Sequence, residues 1–395
     1  MCVDVLKLAR ELPLSDERYW HGDLTLAARP AAAVLNSRQG RHPHGGEAWV
    51  RATIRAAAGL IDDEKVIVSS TGMVTWELAA WAASEALGNV VMIVPVPEGT
   101  IAEDAHLIAA KVLADFGLSN SDSLVMPFFV PPRGSEKLLW KARDGLILRN
   151  ADRLAPVSIR DGGFLASCLR DPRIADKIST DWSVEHKPLV LPQQKIPDPA
   201  HVQRKLSGLN WDHVAHWTRM SDGPWPGESR ADYFSALAGS RSGHYRSAEA
   251  TLKRILDERR IRATGWRMPM NVEMVSFSAL PPWEMVERMT WRKRYVRLNY
   301  EPWGIAIRRD ALIELGGREV IYGDLAIRKQ LSATDRMYFQ KVSDHSDWEN
   351  ELEWRLRGDL ALEPLSAGDV LVLVPDETAR ERIQPFSRFE VVALT

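Results

Sequence analysis

The chain has 395 residues, of which 51 are basic and 53 acidic, and its hydrophobic content is 45%. This length predicts two or at most three domains, and the balanced charge argues against nucleic acid as a ligand of the whole chain, although a local basic patch stays open. Two cysteines argue against a disulfide framework or a cysteine-built zinc site. The first ten residues predict no signal peptide, and no apolar run approaches the ~20 residues that cross a bilayer. We therefore expect a cytoplasmic protein that contacts no membrane.

Short apolar runs alternate with helical patterns in the first half of the chain. The predicted strands cover residues 31–35, 66–68, 90–94 and 155–159. The predicted helices cover residues 49–61, residues 75–87, a stretch that ends near 152, and a stretch after 163. Strands that alternate with helices in this way predict an α/β domain, in which a parallel sheet carries helices on both faces.

Three of these strands end in polar turns. The residues of the three turns are Asn36, Ser37 and Arg38, then Ser70, Thr71 and Gly72, and finally Gly162 and Gly163. Such turns present backbone N–H groups and helix N-termini to anions, and open α/β sheets bind ligands at the carboxyl ends of their strands. One such turn alone is most simply an ordinary loop. Three turns that converge on one crevice favour nucleotide or phosphate binding, and these residues are the predicted site.

The pattern from Tyr19 to about Leu169 resembles the SLOG superfamily of Rossmann-like domains, which includes the DNA-processing protein A family and the cytokinin-activating LOG enzymes. The shared features are an aromatic-rich lead-in, the strand that ends at 36–38, the Ser-Ser-Thr-Gly turn at 69–72, and Arg143-Asp144 before Asp161-Gly162-Gly163. The resemblance implies binding of a nucleotide, a nucleotide-derived signal or single-stranded DNA. The Pro-Gly-Gly-x-Gly-Thr motif of the LOG enzymes does not follow Asp161, so we expect sensing or binding rather than hydrolysis of a nucleoside monophosphate.

Residues 181–208 have the proline-rich composition of a linker, which predicts domains over residues 1–180 and 209–395. The predicted strands of the second domain cover residues 214–219, 275–278, 304–307, 319–322, 351–356, 370–374 and 389–393. Its predicted helices cover residues 233–239 and 248–259. Many short strands with few long helices predict an α+β fold.

Three of these strands carry polar side chains at alternating positions, as His216-x-Thr218, Ser276-x-Ser278 and Glu351-x-Glu353. Because the side chains of a strand alternate between its faces, each pair is predicted to share one face. Each pattern also has a purely structural explanation, as a core histidine, small polar positions in a half-buried sheet, or charges on a solvated face. No metal site is predicted, because His213 and His216 point to opposite faces of their strand.

The order of these patterns resembles the His/Arg–Ser–Glu arrangement of ADP-ribosyltransferase-fold domains. The closing stretch, Trp348-x-x-Glu351-x-Glu353-Trp354-Arg355-Leu356, resembles a bacterial family linked to abortive phage infection, and DarT-type DNA ADP-ribosyltransferases are more distantly similar. The resemblance covers about residues 211–375. It implies an ADP-ribosyltransferase-like domain with a split sheet that uses NAD as its cofactor, and a role as a toxin or in antiphage defence.

The resemblance also implies roles for individual side chains. Cleavage of the nicotinamide–ribose bond of NAD builds positive charge on the ribose, and a carboxylate that holds the 2′-hydroxyl stabilises this state. Glu353 has this role in the hypothesis, and Glu351 is the alternative or orients the acceptor. His216 is a further candidate catalytic residue. The candidate NAD-binding residues are His216, Trp217, Thr218, Ser276, Ser278, Arg219 at the pyrophosphate, and Tyr300 or Trp303 stacked on the nicotinamide.

These expectations combine into one hypothesis and one alternative. The hypothesis is a nucleotide-sensing SLOG-like domain that controls an NAD-consuming ADP-ribosyltransferase or NAD glycohydrolase, which modifies nucleic acid or protein or consumes free NAD. The alternative is a non-catalytic protein related to DNA-processing protein A that binds a nucleotide or single-stranded DNA. The sequence leaves the formation of homo-oligomers open.

Overall fold

The computed structural model of the chain describes residues 15–131, 136–187, 195–240, 246–265, 268–293, 297–342 and 348–395. The chain forms two compact units. The first comprises Met1–Val190 and Glu228–Gly243, and the second comprises Leu191–Gly227 and His244–Thr395. The second unit is therefore interrupted in sequence by a segment that packs with the first. Among the described residues, no helix combines the length and apolar character that crossing a membrane requires.

The first unit is built on a six-stranded sheet with the order β1-β5-β4-β3-β2-β6. Its strands are β1 (His21–Gly22), β2 (Ala31–Asn36), β3 (Val66–Ser70), β4 (Val90–Pro97), β5 (Ser123–Val130) and β6 (Arg153–Ser158). Strands β2 to β6 are parallel, and β1 pairs antiparallel with β5. The predicted parallel sheet is thus confirmed, with β5 as a strand that the sequence pattern does not predict.

Helices connect these strands and cover the sheet. The helices of the first unit are α1 (Ala48–Asp62), α2 (Val74–Glu85), α3 (Ala102–Phe116), α4 (Glu136–Asn150), α5 (Phe164–Leu169) and α7 (Arg230–Gly239). Every residue of β2 and β3 is buried, which explains the apolar runs at residues 31–35 and 66–68, because strands covered on both faces have no side that faces solvent. The polar residues Asn36, Ser69 and Ser70 lie at the carboxyl ends of these strands. The predicted helices at 49–61 and 75–87 correspond to α1 and α2, whereas α3 is not among the predicted elements.

The direction in which strands are added to this sheet reverses at β2. The chain adds β3, β4 and β5 on one side of β2 and then returns to place β6 on the other side. In open α/β sheets, such a reversal leaves a crevice beyond the carboxyl ends of the two diverging strands, and ligands bind there. The turns that follow β2 and β6 lie at this reversal, and the turn after β3 follows the next strand.

The second unit contains a seven-stranded sheet with the order β13-β16-β9-β7-β12-β18-β19. Its strands are β7 (His213–Trp217), β9 (Met274–Ser278), β12 (Gly304–Arg308), β13 (Arg318–Glu319), β16 (Glu353–Arg357), β18 (Val370–Val374) and β19 (Glu390–Ala393). The two-stranded pairs are β8 (Arg260–Ile261) with β17 (Leu360–Ala361), β10 (Trp291–Arg292) with β11 (Arg297–Leu298), and β14 (Ile321–Gly323) with β15 (Phe339–Lys341). Neighbours in the large sheet are antiparallel except β18 and β19, so this unit is an α+β fold.

The second unit also contains six short helices among its described residues, and some of them pack on the faces of this sheet. They are α6 (Pro199–Lys205), α8 (Ala248–Glu258), α9 (Pro282–Glu287), α10 (Arg309–Glu314), α11 (Leu325–Gln330) and α12 (Glu377–Ile383). One face of the sheet, with Val275, Phe277 and Trp354, forms a core cluster with α8 and α12. The other face, with Ala215 and Trp217, packs against α6 and α9.

Two of the predicted strands are wrong in detail. Residues 319–322 belong to two strands, because β13 pairs with β16 while β14 pairs with β15, and the chain changes partner at Val320. The strand predicted to start at Glu351 starts at Glu353, because Trp348–Glu351 is a short 3-10 helix and Leu352 has a φ of 45°. The described strands of the large sheet form one continuous sheet, and the ADP-ribosyltransferase fold of this unit stays a prediction.

The predicted linker overlaps several described elements. Residues 181–187 belong to the first unit, and α6 belongs to the second. Residues 188–194 of the linker lie outside the described residues. The predicted domain limits stay a prediction.

Candidate functional site

The ends of β2 and β6 are tied together by the first predicted turn. Ser37 donates from its backbone N–H to the Ser158 carbonyl at 2.8 Å, and its Oγ accepts from the Arg160 N–H at 2.9 Å. Asn36 is buried and donates from Nδ2 to Thr53 Oγ1 at 2.9 Å. Its Oδ1 is also buried and has no hydrogen-bond partner among the described residues. The amide oxygen of Asn36 is therefore an acceptor that a bound molecule can satisfy.

Exposed arginines lie on both turns at this point of the sheet. Arg38 follows β2 directly, and Arg160 follows β6. Gly162 has a φ of 68° and is exposed. Gly163 is buried and leads into α5, and a Cβ there would lie 2.9 Å from the Arg160 carbonyl oxygen. The predicted residues of these two turns therefore lie on either side of the reversal in strand order.

A second set of polar side chains, which the sequence does not predict, lies at the same ends of β2 and β6. Gln39 donates from Nε2 to the Ser37 carbonyl at 3.1 Å. His186 Nδ1 lies 3.2 Å from Gln39 Nε2 and 3.2 Å from Ser158 Oγ. His186 reaches this position because residues 179–184 run beside β6, with Val184 donating to the Val157 carbonyl at 2.7 Å. No local pattern marks these residues, since they come from three distant parts of the chain.

The predicted turn after β3, Ser70-Thr71-Gly72, forms hydrogen bonds with neighbouring segments. Ser70 Oγ donates to the Ile93 carbonyl at 2.6 Å. Gly72 has a φ of 87°, and its N–H donates to Glu77 Oε1 at 2.8 Å. A Cβ at Gly72 would lie 3.0 Å from the ring of Trp140, so both conformation and space favour glycine. The turn follows β3, at the same edge of the sheet as the other two turns.

The pair Arg143-Asp144 lies behind this turn and is buried. Arg143 donates to the Thr71 carbonyl at 3.0 Å and to Asp144 Oδ1 from Nη2 at 2.7 Å. Trp76 Nε1 donates to the same carboxylate oxygen at 3.2 Å. Burial raises the pKa of Asp144, and the Arg143 guanidinium opposes this rise. The pair therefore supports the turn from inside the unit.

In the second unit, the carboxylate of Glu353 is the centre of a polar cluster on one face of the large sheet. Glu353 Oε1 accepts from Ser276 Oγ at 2.8 Å and from Arg355 Nε at 2.8 Å, and Oε2 accepts from Arg355 Nη2 at 2.9 Å. Arg355 is only 3% exposed and also donates to Gln340 Oε1 at 3.0 Å. The register pairs Arg355 with Ser276 and Glu353 with Ser278, so these four side chains share one face.

Glu351 approaches this cluster from the short helix before β16. Its Oε2 accepts from the Tyr300 hydroxyl at 2.9 Å, and its carbonyl accepts from Ser278 Oγ at 2.7 Å. Burial raises the pKa of Glu351, the Tyr300 hydrogen bond lowers it, and the Glu353 charge raises it further. Burial and then the Glu351 charge raise the pKa of Tyr300. Tyr300, predicted to stack on nicotinamide, is therefore the hydrogen-bond partner of Glu351 in this structure.

Two further residues contact the cluster and are not predicted from the sequence. Gln340 accepts from Arg355, as described above, and the Tyr322 hydroxyl accepts from the Glu353 N–H at 3.4 Å. Burial raises the pKa of Tyr322 to about 12, so its hydroxyl stays protonated at neutral pH. Both residues lie on the β14–β15 pair, where Tyr322 is opposite Gln340. Only the folded chain brings this pair next to β16.

His216 and Thr218 face away from this cluster. Ala215 pairs with Ser278, so the face of Ala215 is the face of the two serines, and His216 points to the opposite face. There its Nδ1 donates to the Ser276 carbonyl at 2.9 Å, and its ring lies 6.0 Å from that of Phe277. Burial lowers the pKa of His216, and the Ser276 carbonyl opposes this change. The structure therefore does not bring His216 together with the Glu353 carboxylate.

The remaining predicted NAD-binding residues are dispersed. Thr218 Oγ1 donates to the Ala248 carbonyl at 3.0 Å, and Trp303 is buried in the core cluster on the same side of the sheet as His216. Trp217 is buried in the cluster on the other side, and Arg219 is exposed. The structure thus brings together Ser276, Ser278, Glu351, Glu353 and Tyr300, and it places His216, Thr218 and Trp303 on the opposite face of the sheet. The contacts of all these residues with NAD stay predictions.

No protein-family model and no curated protein matches the chain. The N-terminal part resembles the solved structure of DNA processing protein A from Streptococcus pneumoniae, with 18% identity, a TM-score of 0.32, and coverage of 45% of this chain and 65% of that chain. It also resembles DNA processing protein A from Helicobacter pylori, whose structure concerns a single-stranded DNA binding mode, with 19% identity, a TM-score of 0.29, and coverage of 44% and 71%.

The chain therefore spans less than two thirds of the first of these structures. At these levels of identity and overlap, the likeness carries no argument about function. The description of the first unit as Rossmann-like rests on its own parallel strands and on the reversal of strand order at β2.

Proposed function

We propose that the first unit binds a nucleotide or a nucleotide-derived signal beyond the ends of β2 and β6. The observation that carries this proposal is the reversal of strand order between these two strands, at which two turns with exposed arginines meet. Arg38 and Arg160 supply positive charge for phosphate groups. The buried Oδ1 of Asn36, which has no hydrogen-bond partner in the part of the chain that the structure describes, supplies an acceptor for a base or a ribose hydroxyl. These groups fit a site that binds and senses a nucleotide better than a site that hydrolyses one.

Calorimetric titration with AMP tests this proposal. Arg38→Ala is expected to weaken AMP binding about tenfold, because a lost charge-assisted hydrogen bond is worth about 1.5 kcal/mol or more. Arg153→Ala is the matched control, since Arg153 is an exposed arginine at the opposite end of β6 and its loss is expected to leave the affinity unchanged. A dissociation constant that Arg38→Ala does not change would place the site elsewhere.

A single-stranded oligothymidine in the same titration separates the two kinds of ligand. If the site takes a free nucleotide, AMP competes with the oligonucleotide or binds alone. Strong binding of the oligonucleotide that AMP does not displace would instead favour the alternative, a protein that binds single-stranded DNA. The affinity for the oligonucleotide has to be compared at two salt concentrations, because phosphate contacts weaken steeply with salt.

A second candidate function concerns the cluster around Glu353, and we propose that it cleaves NAD. The observation in its favour is the hydrogen bond from Ser276 to Glu353 across two neighbouring strands, with Arg355 orienting the same carboxylate. In the proposed step, the bond between the ribose C1′ and the nicotinamide nitrogen breaks, and its electron pair leaves with nicotinamide. The Glu353 carboxylate stabilises the positive ribose through the 2′-hydroxyl. A hydroxyl of nucleic acid, a nucleophile of a protein or water then bonds to C1′ and loses a proton.

Release of nicotinamide from NAD tests this candidate function. Glu353→Gln is expected to lower the rate at least 100-fold, in line with the loss of one group that stabilises a transition-state charge. Glu363→Gln, at an exposed glutamate outside the cluster, is the control and is expected to have the wild-type rate. A wild-type protein that releases no nicotinamide with DNA, protein extract or AMP present would end the enzyme hypothesis. The role as a toxin or antiphage protein depends on this activity.

A further inference from the structure

Helix α7 belongs to the first unit, although the chain reaches it from the second. Phe234 is fully buried, with its ring 6.1 Å from that of Trp81 on α2 and 6.4 Å from that of Phe116 on α3. Leu237 is fully buried as well. The chain on both sides of residues 228–243 belongs to the second unit. The helix is therefore an inserted segment that is held in the first unit by an apolar face.

The first turn of α7 is held by two carboxylates of the first unit. Ser229 caps the helix, and its Oγ accepts from the Asp232 N–H at 3.0 Å. The backbone N–H of Arg230 donates to Asp115 Oδ1 at 2.8 Å, and its guanidinium pairs with the same carboxylate. Arg230 Nε also lies 3.3 Å from Glu77 Oε1. These carboxylates raise the pKa of Arg230 against the effect of its partial burial.

Glu77 connects this helix to the turn after β3. Its Oε1 accepts from the N–H of Gly72, in the turn after β3, at 2.8 Å, and the same atom faces Arg230. The Glu77 side chain is only 11% exposed, so Gly72 and Arg230 replace most of the contact that this carboxylate would have with water. A second contact comes from the chain after β2, where Gly45 has a φ of 82° and a Cβ on it would clash with the Leu237 carbonyl oxygen. These two contacts lie on the chain segments that follow β3 and β2, at the same edge of the sheet as the proposed site.

We propose that docking of α7 and ligand binding at the turn after β3 are coupled through Glu77, which makes α7 the element that reports the ligand to the second unit. The proposal rests on the nucleotide site proposed for the first unit and extends that site to the turn after β3. A phosphate that binds the Gly72 N–H has to displace the Glu77 carboxylate, whose charge repels it. Glu77 then pairs with Arg230 alone, which fastens the start of α7.

The coupling works in both directions, because a ligand that stabilises docking of α7 is itself bound more tightly when α7 is docked. Both ends of α7 continue into chain segments of the second unit. In one of the two proposed states, a ligand is bound at the turn after β3 and α7 is docked. In the other state, the turn has no ligand and α7 is loosened. The proposed coupling is carried by the contacts among Gly72, Glu77 and Arg230.

Hydrogen exchange of the α7 amides, with and without AMP, tests the coupling. In the wild type, saturating AMP is expected to slow their exchange at least fivefold. Glu77→Gln retains an acceptor for Gly72 but has no charge, so it is expected to bind AMP at least as tightly as the wild type while AMP no longer affects α7. Glu85→Gln, at an exposed glutamate of the same helix α2, is the control and is expected to behave as the wild type. AMP that binds and leaves α7 exchange unchanged in the wild type overturns the coupling.

A second measurement decides the link between helix and turn without any ligand. In Arg230→Gln, Glu77 is left with Gly72 as its main partner, so the Gly72 amide is expected to exchange at least threefold more slowly. Asp115→Asn loosens α7 but leaves Glu77 in place, and it separates this effect from simple loss of docking. Unchanged exchange of Gly72 in Arg230→Gln overturns the link, whether or not AMP binds. Failure of AMP to bind the wild type contradicts the nucleotide site instead.

Discussion

The two units place their polar groups differently with respect to their strands. In the first unit, β2 and β3 are buried along their whole length, and the candidate ligand groups lie in the turns beyond them. In the second unit, β9 and β16 alternate, with serine, glutamate and arginine side chains along one face and apolar side chains along the other. A sheet that is covered on both faces leaves only strand ends and backbone N–H groups for recognition. An antiparallel sheet can instead build a site from side chains in register.

This difference has consequences for stability. In the first unit, the Arg143 side chain of the pair behind the turn is fully buried, and its guanidinium also lies over the rings of Trp76 and Trp140. In the second unit, the ion pair lies within the candidate site, and its carboxylate is 14% exposed, close to the 12% of Asp144. Substitutions that remove the arginine of each pair measure how far the two regions differ.

The largest expected effect is at the buried pair of the first unit. Arg143→Met leaves the Asp144 carboxyl buried, with Trp76 as its hydrogen-bond donor. Breaking a buried ion pair from one side costs about 3–5 kcal/mol, and urea unfolding followed by circular dichroism is expected to show a loss of this size. Arg51→Met, at an exposed arginine of α1, is the control and is expected to change the unfolding free energy by less than about 0.5 kcal/mol. A loss below about 1 kcal/mol for Arg143→Met would mean that the pair is not part of the core.

The corresponding substitution in the second unit is expected to have a smaller effect. Arg355→Met leaves Glu353 with its Ser276 hydrogen bond at 2.8 Å, which is shorter than the 3.2 Å bond from Trp76 that Asp144 retains. Arg143→Met also removes the contact of the guanidinium with the Trp140 ring. We expect a loss of about 2 kcal/mol in the same urea experiment. Arg357→Met is the matched control, because Arg357 is exposed on the same strand. Equal losses for Arg143→Met and Arg355→Met would remove the distinction between the two pairs.

The smallest effect concerns Glu351 and depends on pH. Burial raises the pKa of Glu351 above its ordinary value of 4.5, so the folded chain holds this proton more tightly than the unfolded chain. The resulting stabilisation is complete below pH 4.5 and is lost as the pH rises through the raised pKa. Glu351→Gln keeps an acceptor for Tyr300 but does not titrate. Its unfolding free energy, relative to that of the wild type, is therefore expected to increase as the pH rises above 4.5.

Urea unfolding at a series of pH values measures this difference. Glu363→Gln, at an exposed glutamate, is the control and is expected to follow the wild type at every pH. A difference between Glu351→Gln and the wild type that stays constant with pH would contradict the raised pKa.

Much of the first unit can be predicted from the sequence, because its central parallel strands contain continuous apolar runs. The runs at 31–35, 66–68 and 90–94 correspond to β2, β3 and β4. Strand β5 escapes prediction because Pro127 interrupts its apolar run, and proline usually argues against a central strand. The role of His186 is not predicted for another reason, since its position beside β2 and β6 depends on contacts between distant parts of the chain.

In the second unit, alternation predicts which residues of one strand share a face, but it does not predict which faces of neighbouring strands coincide. The face of His216 is decided by the pairing of Ala215 with Ser278, a contact between distant residues. Alternation also fails at Glu351, because its carbonyl and carboxylate are held by Ser278 and Tyr300, and Leu352 has a positive φ. The contact between Ser276 and Glu353, in contrast, agrees with the resemblance of the sequence motifs, which implies that this serine supports this glutamate.

The insertion of α7 into the first unit also sets an order for synthesis on the ribosome. The first unit receives its last helix only when residue 239 has been made, after the chain has already produced β7 of the second unit. At translation speeds of roughly 5–20 residues per second, several seconds separate the end of the first long segment from the arrival of α7. During this time, Trp81 and Phe116 have no Phe234 to pack against. A nascent chain that ends before α7 therefore leaves the Trp81 and Phe116 rings without the cover that Phe234 provides in the complete fold.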